Sequence, residues 1–148
     1  MASAFVEDAL RWSMESYLVA GLSDDDLREL FESEGAPLAS FHDKIMVGYA
    51  IGMYGPAAKA DLLAVKRIRN AFAHAPRSID FTTSEIVQEC TRLHYQEAKL
   101  NIEPKIMPVA GSIGITDPRK HFHNTVKLLL IDLHAIGAGD SKELGGMP

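Results

Sequence analysis

The residues of this chain best suited to chemistry lie in one short run, Arg69 to His74. Arginine holds anionic groups, and histidine gains or loses a proton near neutral pH. Three more polar residues, Lys66, Arg67 and Asn70, lie with His74 on one side of the helix that this stretch is expected to form. Lys66, Arg67, Asn70 and His74 are therefore our candidate binding residues.

The spacing of Arg69 and His74 restricts what these two side chains can do together. Five residues on a regular helix of 3.6 residues per turn place them about 140° apart. They could converge only if the last turn unwinds before Pro76, or if a twofold partner brings its own copy across. A shared site within one regular helix is not expected.

Arg69 also falls inside the apolar side of the same helix. That stripe consists of Leu62, Val65, Ile68 and Phe72. An unpaired charge in a core is costly, so the guanidinium is expected to meet a carboxylate or several carbonyls. The candidate partners are Asp80, Glu32 and Glu34, among which the sequence does not choose.

A structural interpretation of this run stands beside the functional one. A buried arginine often ties helices together, and a histidine at a helix C-terminus often interacts only with the last carbonyls and the helix dipole. Charged groups of this kind mark functional sites only statistically. Both interpretations of Arg69 and His74 stay open at this point.

Periodicity and capping signals predict about six helices and no strand. The predicted helices cover about 4–19, 23–33, 40–53, 56–75, 83–100 and 117–137. The fold class is therefore all-α, with a single-domain bundle over residues 1–139. Residues 101–116 are predicted to form a loop, and 140–148 a flexible C-terminal tail.

Two helix faces carry specific expectations. In the first helix, Val6, Leu10, Ser13 and Tyr17 follow helical spacing, and Phe5 and Trp12 widen this apolar face. In the third helix, Gly48 and Gly52 are four residues apart. This spacing predicts a shallow strip where another backbone can approach closely.

Composition narrows the classes of function. The chain has 148 residues, 47% of them hydrophobic, and a net charge of −5, so binding of DNA or RNA would need a local concentration of basic groups. A single cysteine, Cys90, excludes an intramolecular disulfide and fits a reducing compartment. With no apolar run long enough for a bilayer and no signal-peptide pattern, we expect a cytoplasmic protein without membrane contact.

Signals for metals and cofactors are weak throughout. His121 and His123 are two residues apart on the last predicted helix, so their side chains point to different sides and make a poor metal pair. Gly111 to Gly114 lacks the strand and the Gly-Lys-Ser/Thr sequence of a phosphate-binding loop. We expect no metal and no cofactor.

Several segments together resemble the mannitol operon repressor family. They are Leu30–Phe41 with its Gly-Ala-Pro-Leu sequence, Lys44-Ile45, Gly48–Gly52, Leu62–Ala75, Ile79–Phe81 and Cys90. The resemblance implies an all-helical protein of bacterial gene regulation without a recognised DNA-binding motif. It therefore favours a transcriptional regulator that works through protein partners in a regulatory complex and forms a homo-oligomer, which we expect to be a dimer.

A wider resemblance supports an alternative from another class. Arg69-Asn70-x-x-x-His74 is similar to the Arg-x4-6-His signature of HEPN domains, many of which are dimeric, metal-independent ribonucleases. It implies that His74 acts as general acid or base on the ribose 2′-hydroxyl or leaving oxygen, Arg69 stabilises phosphate charge and Asn70 orients the histidine. We expect a regulator, with an endoribonuclease or an inactive HEPN partner as the alternative.

Overall fold

The computed structural model describes residues 2–100 and 117–139, which contain seven α-helices and no strand. The helices are α1 (Ala2–Glu15), α2 (Asp24–Phe31), α3 (Phe41–Ala50), α4 (Pro56–His74), α5 (Ser84–Cys90), α6 (Tyr95–Leu100) and α7 (Pro118–Gly137). They surround one hydrophobic core, so the all-α, single-domain prediction is confirmed. The predicted loop 101–116 and tail 140–148 lie outside the described residues.

Local signals account for most helix starts. Ser23 caps α2 in a reciprocal arrangement with Asp26, and Ser40 caps α3 by accepting the backbone N–H of Asp43. Proline occupies the first position of both α4 and α7, where its missing N–H leaves no helical hydrogen bond unmade. These features are set by a few adjacent residues, which is why the sequence predicted them.

The fifth predicted helix is divided in two. Instead of running from 83 to 100, it ends at Cys90 and resumes at Tyr95. The backbone N–H groups of His94 and Tyr95 donate to the buried carboxylate of Asp61 on α4, at 2.9 and 2.8 Å. Because a side chain from another helix supplies the cap of α6, spacing along 83–100 could not have predicted the interruption.

The bundle is organised around two contacts. The long helices α1 and α7 pack along each other, and the buried hydroxyl of Ser13 donates to the carbonyls of Ala9 and Leu133, at 2.7 and 2.5 Å. Helix α4 lies between α3 and the α5–α6 segment. Its Leu62 and Val65 are fully buried, so α4 forms the centre of the core.

The prediction of a glycine strip on α3 is wrong on two points. An aromatic ring, not another backbone, packs against Gly48, and Gly52 lies outside the helix. Gly48 is buried against the ring of Tyr54, whose hydroxyl donates to the carbonyl of Ile45 at 2.9 Å. A Cβ at position 48 would lie 2.7 Å from the Tyr54 hydroxyl oxygen. Gly52 follows the end of α3 with φ +77, so it forms a turn that favours glycine. Gly48 thus admits an aromatic ring, not a backbone.

The expectation that Phe5, Trp12 and Tyr17 belong to the core face of α1 is also wrong. Phe5 is 60% exposed and Trp12 45%, because both lie at the edge of the arc that α7 covers. Tyr17 is exposed because α1 ends two residues before it. Trp12 lies so close to α7 that a Cβ at Gly137 would fall 2.3 Å from its ring. The outer side of α1 therefore presents aromatic surface to solvent.

Candidate functional site

Helix α4 holds all five residues of the predicted site on a regular helix of 19 residues. Its apolar stripe is buried at Leu62, Val65 and Ile68, but not at Phe72, which is 39% exposed. Phe72 instead lies against Phe81, with ring centroids 5.3 Å apart. The core prediction therefore fails for Phe72, which lies in the last turn of α4 and packs against Phe81 of the connection to α5.

Arg69 forms an ion pair with a carboxylate that the sequence did not suggest. Its Nη1 donates to Oε2 of Glu7 on α1 at 2.5 Å, and the other oxygen of Glu7 accepts from Nζ of Lys44 at 2.8 Å. Lys44 comes from α3, and its ammonium also donates to the carbonyl of Ala39 at 3.1 Å. We call Glu7, Lys44 and Arg69 the three-helix tie.

The predicted partners of Arg69 are all engaged elsewhere or lie apart from it. Glu32 pairs with Arg11 at 2.8 Å, and Glu34 is exposed. The Asp80 carboxylate accepts from the backbone N–H and hydroxyl of Thr82, at 2.8 and 2.6 Å, and these bonds lower its pKa. Asp80 was predicted as a structural partner of Arg69, but it stabilises a local turn instead. Its carboxylate is within reach of the nearby Thr82 groups, and these occupy it.

The burial expected of Arg69 is also corrected. Its side chain is 40% exposed, whereas that of Lys44 is only 6% exposed. The guanidinium carbon lies 5.9 Å from the centroid of the Phe41 ring, so the arginine lies across an aromatic face at the edge of the core. The deeply buried cation of this region is Lys44, which the sequence analysis had not singled out.

His74 faces away from the three-helix tie. It is the last residue of α4, exposed, and Ala75 then turns to extended backbone. The helix remains regular through His74, so the angle of about 140° between positions 69 and 74 persists. The unwinding that could have brought the two groups together does not occur, and Arg69 and His74 do not share a site within one chain.

The remaining candidates lie on the solvent side of α4. Asn70 is exposed and Lys66 is half-buried. Arg67 donates from Nε to Glu89 at 2.6 Å, and the other Glu89 oxygen accepts from Arg92 at 2.8 Å. Arg67 is thereby tied to α5, whereas Asn70 and His74 remain on an open surface.

A buried network of polar side chains on the opposite side of α4 was not predicted from the sequence. Asp61 is fully buried and caps α6. The Tyr95 hydroxyl donates to Asp132 of α7 at 2.6 Å, and Lys99 donates to the other oxygen of Asp132. Burial, and then the bonded Asp132, raise the pKa of Tyr95, so the phenol stays protonated and acts as the donor.

One signal could have found Asp61. The residue precedes Leu62 and lies four and seven residues before Val65 and Ile68, which places a carboxylate on the buried side of α4. Such a carboxylate requires hydrogen-bond donors, because a buried charge without them is costly. The sequence could not have named those donors, since they are backbone groups 33 and 34 residues away.

The described residues offer few other chemical possibilities. Within 2–100 and 117–139, no three His, Cys, Asp or Glu side chains lie close enough to hold a metal ion together. Over the same residues, no helix has the length and apolar character needed to cross a membrane. The buried or partly buried polar groups Glu7, Lys44, Asp61 and Asp132 connect helices to one another, which is a structural role.

Comparison of the chain with protein-family models, with curated proteins and with solved structures gave no match. The site therefore has to be interpreted from its own geometry.

We expect the two halves of the three-helix tie to differ in their contribution to stability. Glu7→Gln leaves the buried Lys44 without its counter-ion and should lower the free energy of unfolding by about 3 kcal/mol. Arg69→Ala removes a partly exposed pair and should cost about 1 kcal/mol. Urea unfolding of both variants measures this order. An equal or larger loss for Arg69→Ala would contradict it.

Cys90 should be unreactive in the folded protein. It is fully buried, and burial, with a smaller contribution from Glu89, raises its thiol pKa from 9.0 to about 11. At pH 8 this leaves roughly a hundredth of the thiolate of an ordinary cysteine. We expect a disulfide reagent to label folded protein at least 100-fold more slowly than urea-unfolded protein.

The same pKa shift predicts a pH dependence of stability. Because the folded state holds the Cys90 thiol proton more tightly than the unfolded state, the free energy of unfolding should decline as the pH rises from about 9 to about 11.

Proposed function

We propose that this chain is a cytoplasmic transcriptional regulator of the mannitol operon repressor type, which works through protein contacts and forms a homodimer. The resemblance of about residues 24–100 to that family supports the regulatory role. The engagement of Arg69 by Glu7, away from His74, argues against a catalytic pair within one chain. The single observation that carries the proposal is an aromatic groove at the surface between α1 and α7.

The groove has a volume of about 370 Å³ and a mostly apolar lining. It is lined by Phe5, Asp8, Ala9, Trp12, Leu130 and His134. Exposed aromatic side chains around a concave surface are typical of protein interfaces, where they bury large areas with little loss of side-chain freedom. An exposed phenylalanine and tryptophan on one helix therefore favour an occupant that covers both.

The charges at the rim of the groove favour a second copy of this chain as that occupant. Asp8 and His134 are both exposed, and neither forms an ion pair within the described residues. Nδ1 of His134 lies 2.7 Å from the carbonyl of Leu130 and must donate to it, so Nε2 is left for a second partner. In a twofold interface every contact between two different residues occurs twice, so Asp8 of each copy would lie against the Nε2 side of His134 of the other.

The dimer can be tested by sedimentation equilibrium. Phe5→Ser should weaken dimerisation at least tenfold, because it removes an exposed aromatic group at the centre of the proposed interface. Ile51→Ser is the matched control: Ile51 is exposed but follows α3, away from the groove, and its loss should change the dissociation constant less than twofold.

A charge exchange tests the twofold pairing itself. Asp8→Lys and His134→Glu should each weaken the dimer, and the double variant should recover most of the loss. The homodimer would be contradicted if the wild-type chain remained monomeric at 100 μM. This concentration is roughly the weakest dissociation constant expected for a specific dimer of this kind.

The regulatory role can be tested in the organism that encodes the chain. In a deletion strain, complementation with wild-type protein should restore a limited set of transcripts, and Ile51→Ser should do the same. Phe5→Ser should fail although the protein is folded and present at equal level, because the interaction surface is altered. Unchanged transcripts on deletion would contradict a regulatory function.

A separate assay tests the ribonuclease alternative. We expect purified wild-type protein not to cleave single-stranded RNA in the presence of a chelator. Cleavage that disappears in His74→Ala, with unchanged thermal unfolding, would replace the regulator by a HEPN-like nuclease in which a partner chain completes the site.

A further inference from the structure

The solvent-facing side of α7 is basic although the whole chain has a net charge of −5. Arg119, Lys120 and Lys127 are exposed there, together with His123. At 100° per residue these four positions fall within an arc of about 100°, and at 1.5 Å per residue they extend about 12 Å along the helix. We call this set the basic face of α7.

The three permanent cations of the basic face form no ion pair with any carboxylate in the described part of the chain. Among the ion pairs formed within 2–100 and 117–139, none includes Arg119, Lys120 or Lys127. The nearest acidic residue in sequence, Asp117, is the N-cap of α7 and accepts the backbone N–H of Lys120 at 3.0 Å. The charge of these cations is therefore not neutralised by the described part of the chain.

The position of two of these cations opposes helix stability. Arg119 and Lys120 lie in the first turn of α7, where the helix dipole is positive and acidic side chains are favoured. Beyond its cap, this turn contains no acidic residue. A basic pair at a position unfavourable for the helix is available to bind an anion, which would offset the unfavourable interaction with the dipole.

An aromatic patch adjoins the basic face. The ring of Phe81 has its centroid 5.3 Å from Phe72, 5.4 Å from Phe122 and 6.2 Å from His123. Phe72 and His123 are exposed, so the end of α4 and the start of α7 present two accessible rings beside the cations. This observation is independent of the charge distribution.

We propose that the basic face of α7 and the adjoining aromatic patch bind single-stranded nucleic acid. Arg119, Lys120 and Lys127 would contact the phosphates, and unpaired bases would stack on Phe72 and His123. Cations along one line with accessible rings beside them are the combination that single-strand-binding proteins use. A purely acidic protein segment would use the cations but not the rings, and paired bases in a duplex would not be available for stacking.

This surface is separate from the groove of the proposed function. The groove is lined on α7 by Leu130 and His134, in the C-terminal half of the helix, whereas the basic face occupies the N-terminal half and ends at Lys127, three residues before Leu130. The inference does not rest on the proposed regulator or dimer. Each can fail without the other, because Phe5→Ser should leave nucleic-acid binding intact.

The experiment measures fluorescence anisotropy of a labelled 15-nucleotide oligo(U) with the full chain at 50 mM salt. We expect saturable binding that weakens as salt rises, because counterions are released from the phosphates. Lys120→Glu/Lys127→Glu should weaken binding at least tenfold. Arg28→Glu/Lys59→Glu changes the net charge equally on α2 and α4 and should stay within twofold of wild type.

Two further measurements distinguish the ligand. His123→Ala should weaken oligo(U) binding about fivefold or more through lost stacking, without changing binding of polyglutamate. If the charge-reversal variant unfolds, Lys120→Gln/Lys127→Gln replaces it, with an expected loss of at least threefold. Absence of oligo(U) binding, equal loss in the control, or polyglutamate binding as tight as oligo(U) would overturn the proposal, the last in favour of an acidic protein segment.

Discussion

The relative placement of three helices depends on a single carboxylate shared between two cations. Glu7 on α1 accepts from Lys44 of α3 and Arg69 of α4, so one side chain fixes three helices relative to one another. The nearly complete burial of Lys44 makes the arrangement obligatory, because an ammonium out of water requires a counter-ion and further acceptors. Arg69 lies at the open edge of the tie, where water weakens its pairing. Arg69 thus completes an ion-pair cluster that is centred on Glu7 and the buried Lys44.

A second buried network fixes the other side of α4 by the same principle. Asp61 caps α6, and Tyr95 and Lys99 of α6 both donate to Asp132 on α7. The short helix α6 could not persist alone, since helices of six residues have too few internal hydrogen bonds. Its stability comes from carboxylates on two longer helices. The polar groups of the core therefore specify how the helices are joined, while the apolar side chains supply most of the driving force.

The sequence predicted what adjacent residues decide and missed what distant residues decide. The caps at Ser23 and Asp117 and the start of α4 at Pro56 depend on three or four neighbours, and the structure has them. The partner of Arg69 lies 62 residues away, and the cap of α6 lies 33 residues away, so no spacing rule could identify either. The divergence of Arg69 and His74 was predictable, because helix geometry alone sets it.

Exposed aromatic side chains were misassigned to the core for a common reason. Hydrophobic periodicity identifies an apolar arc but not how much of that arc a neighbouring helix covers. Phe5 and Trp12 lie at the edge of the arc on α1, and Phe72 lies beyond the packed part of α4. Of the residues misassigned in this way, Phe5 and Trp12 line the proposed groove and Phe72 belongs to the aromatic patch, whereas Tyr17 belongs to neither. Covering such side chains on one helix requires a second element at the correct distance, and periodicity within the first helix carries no information about that element.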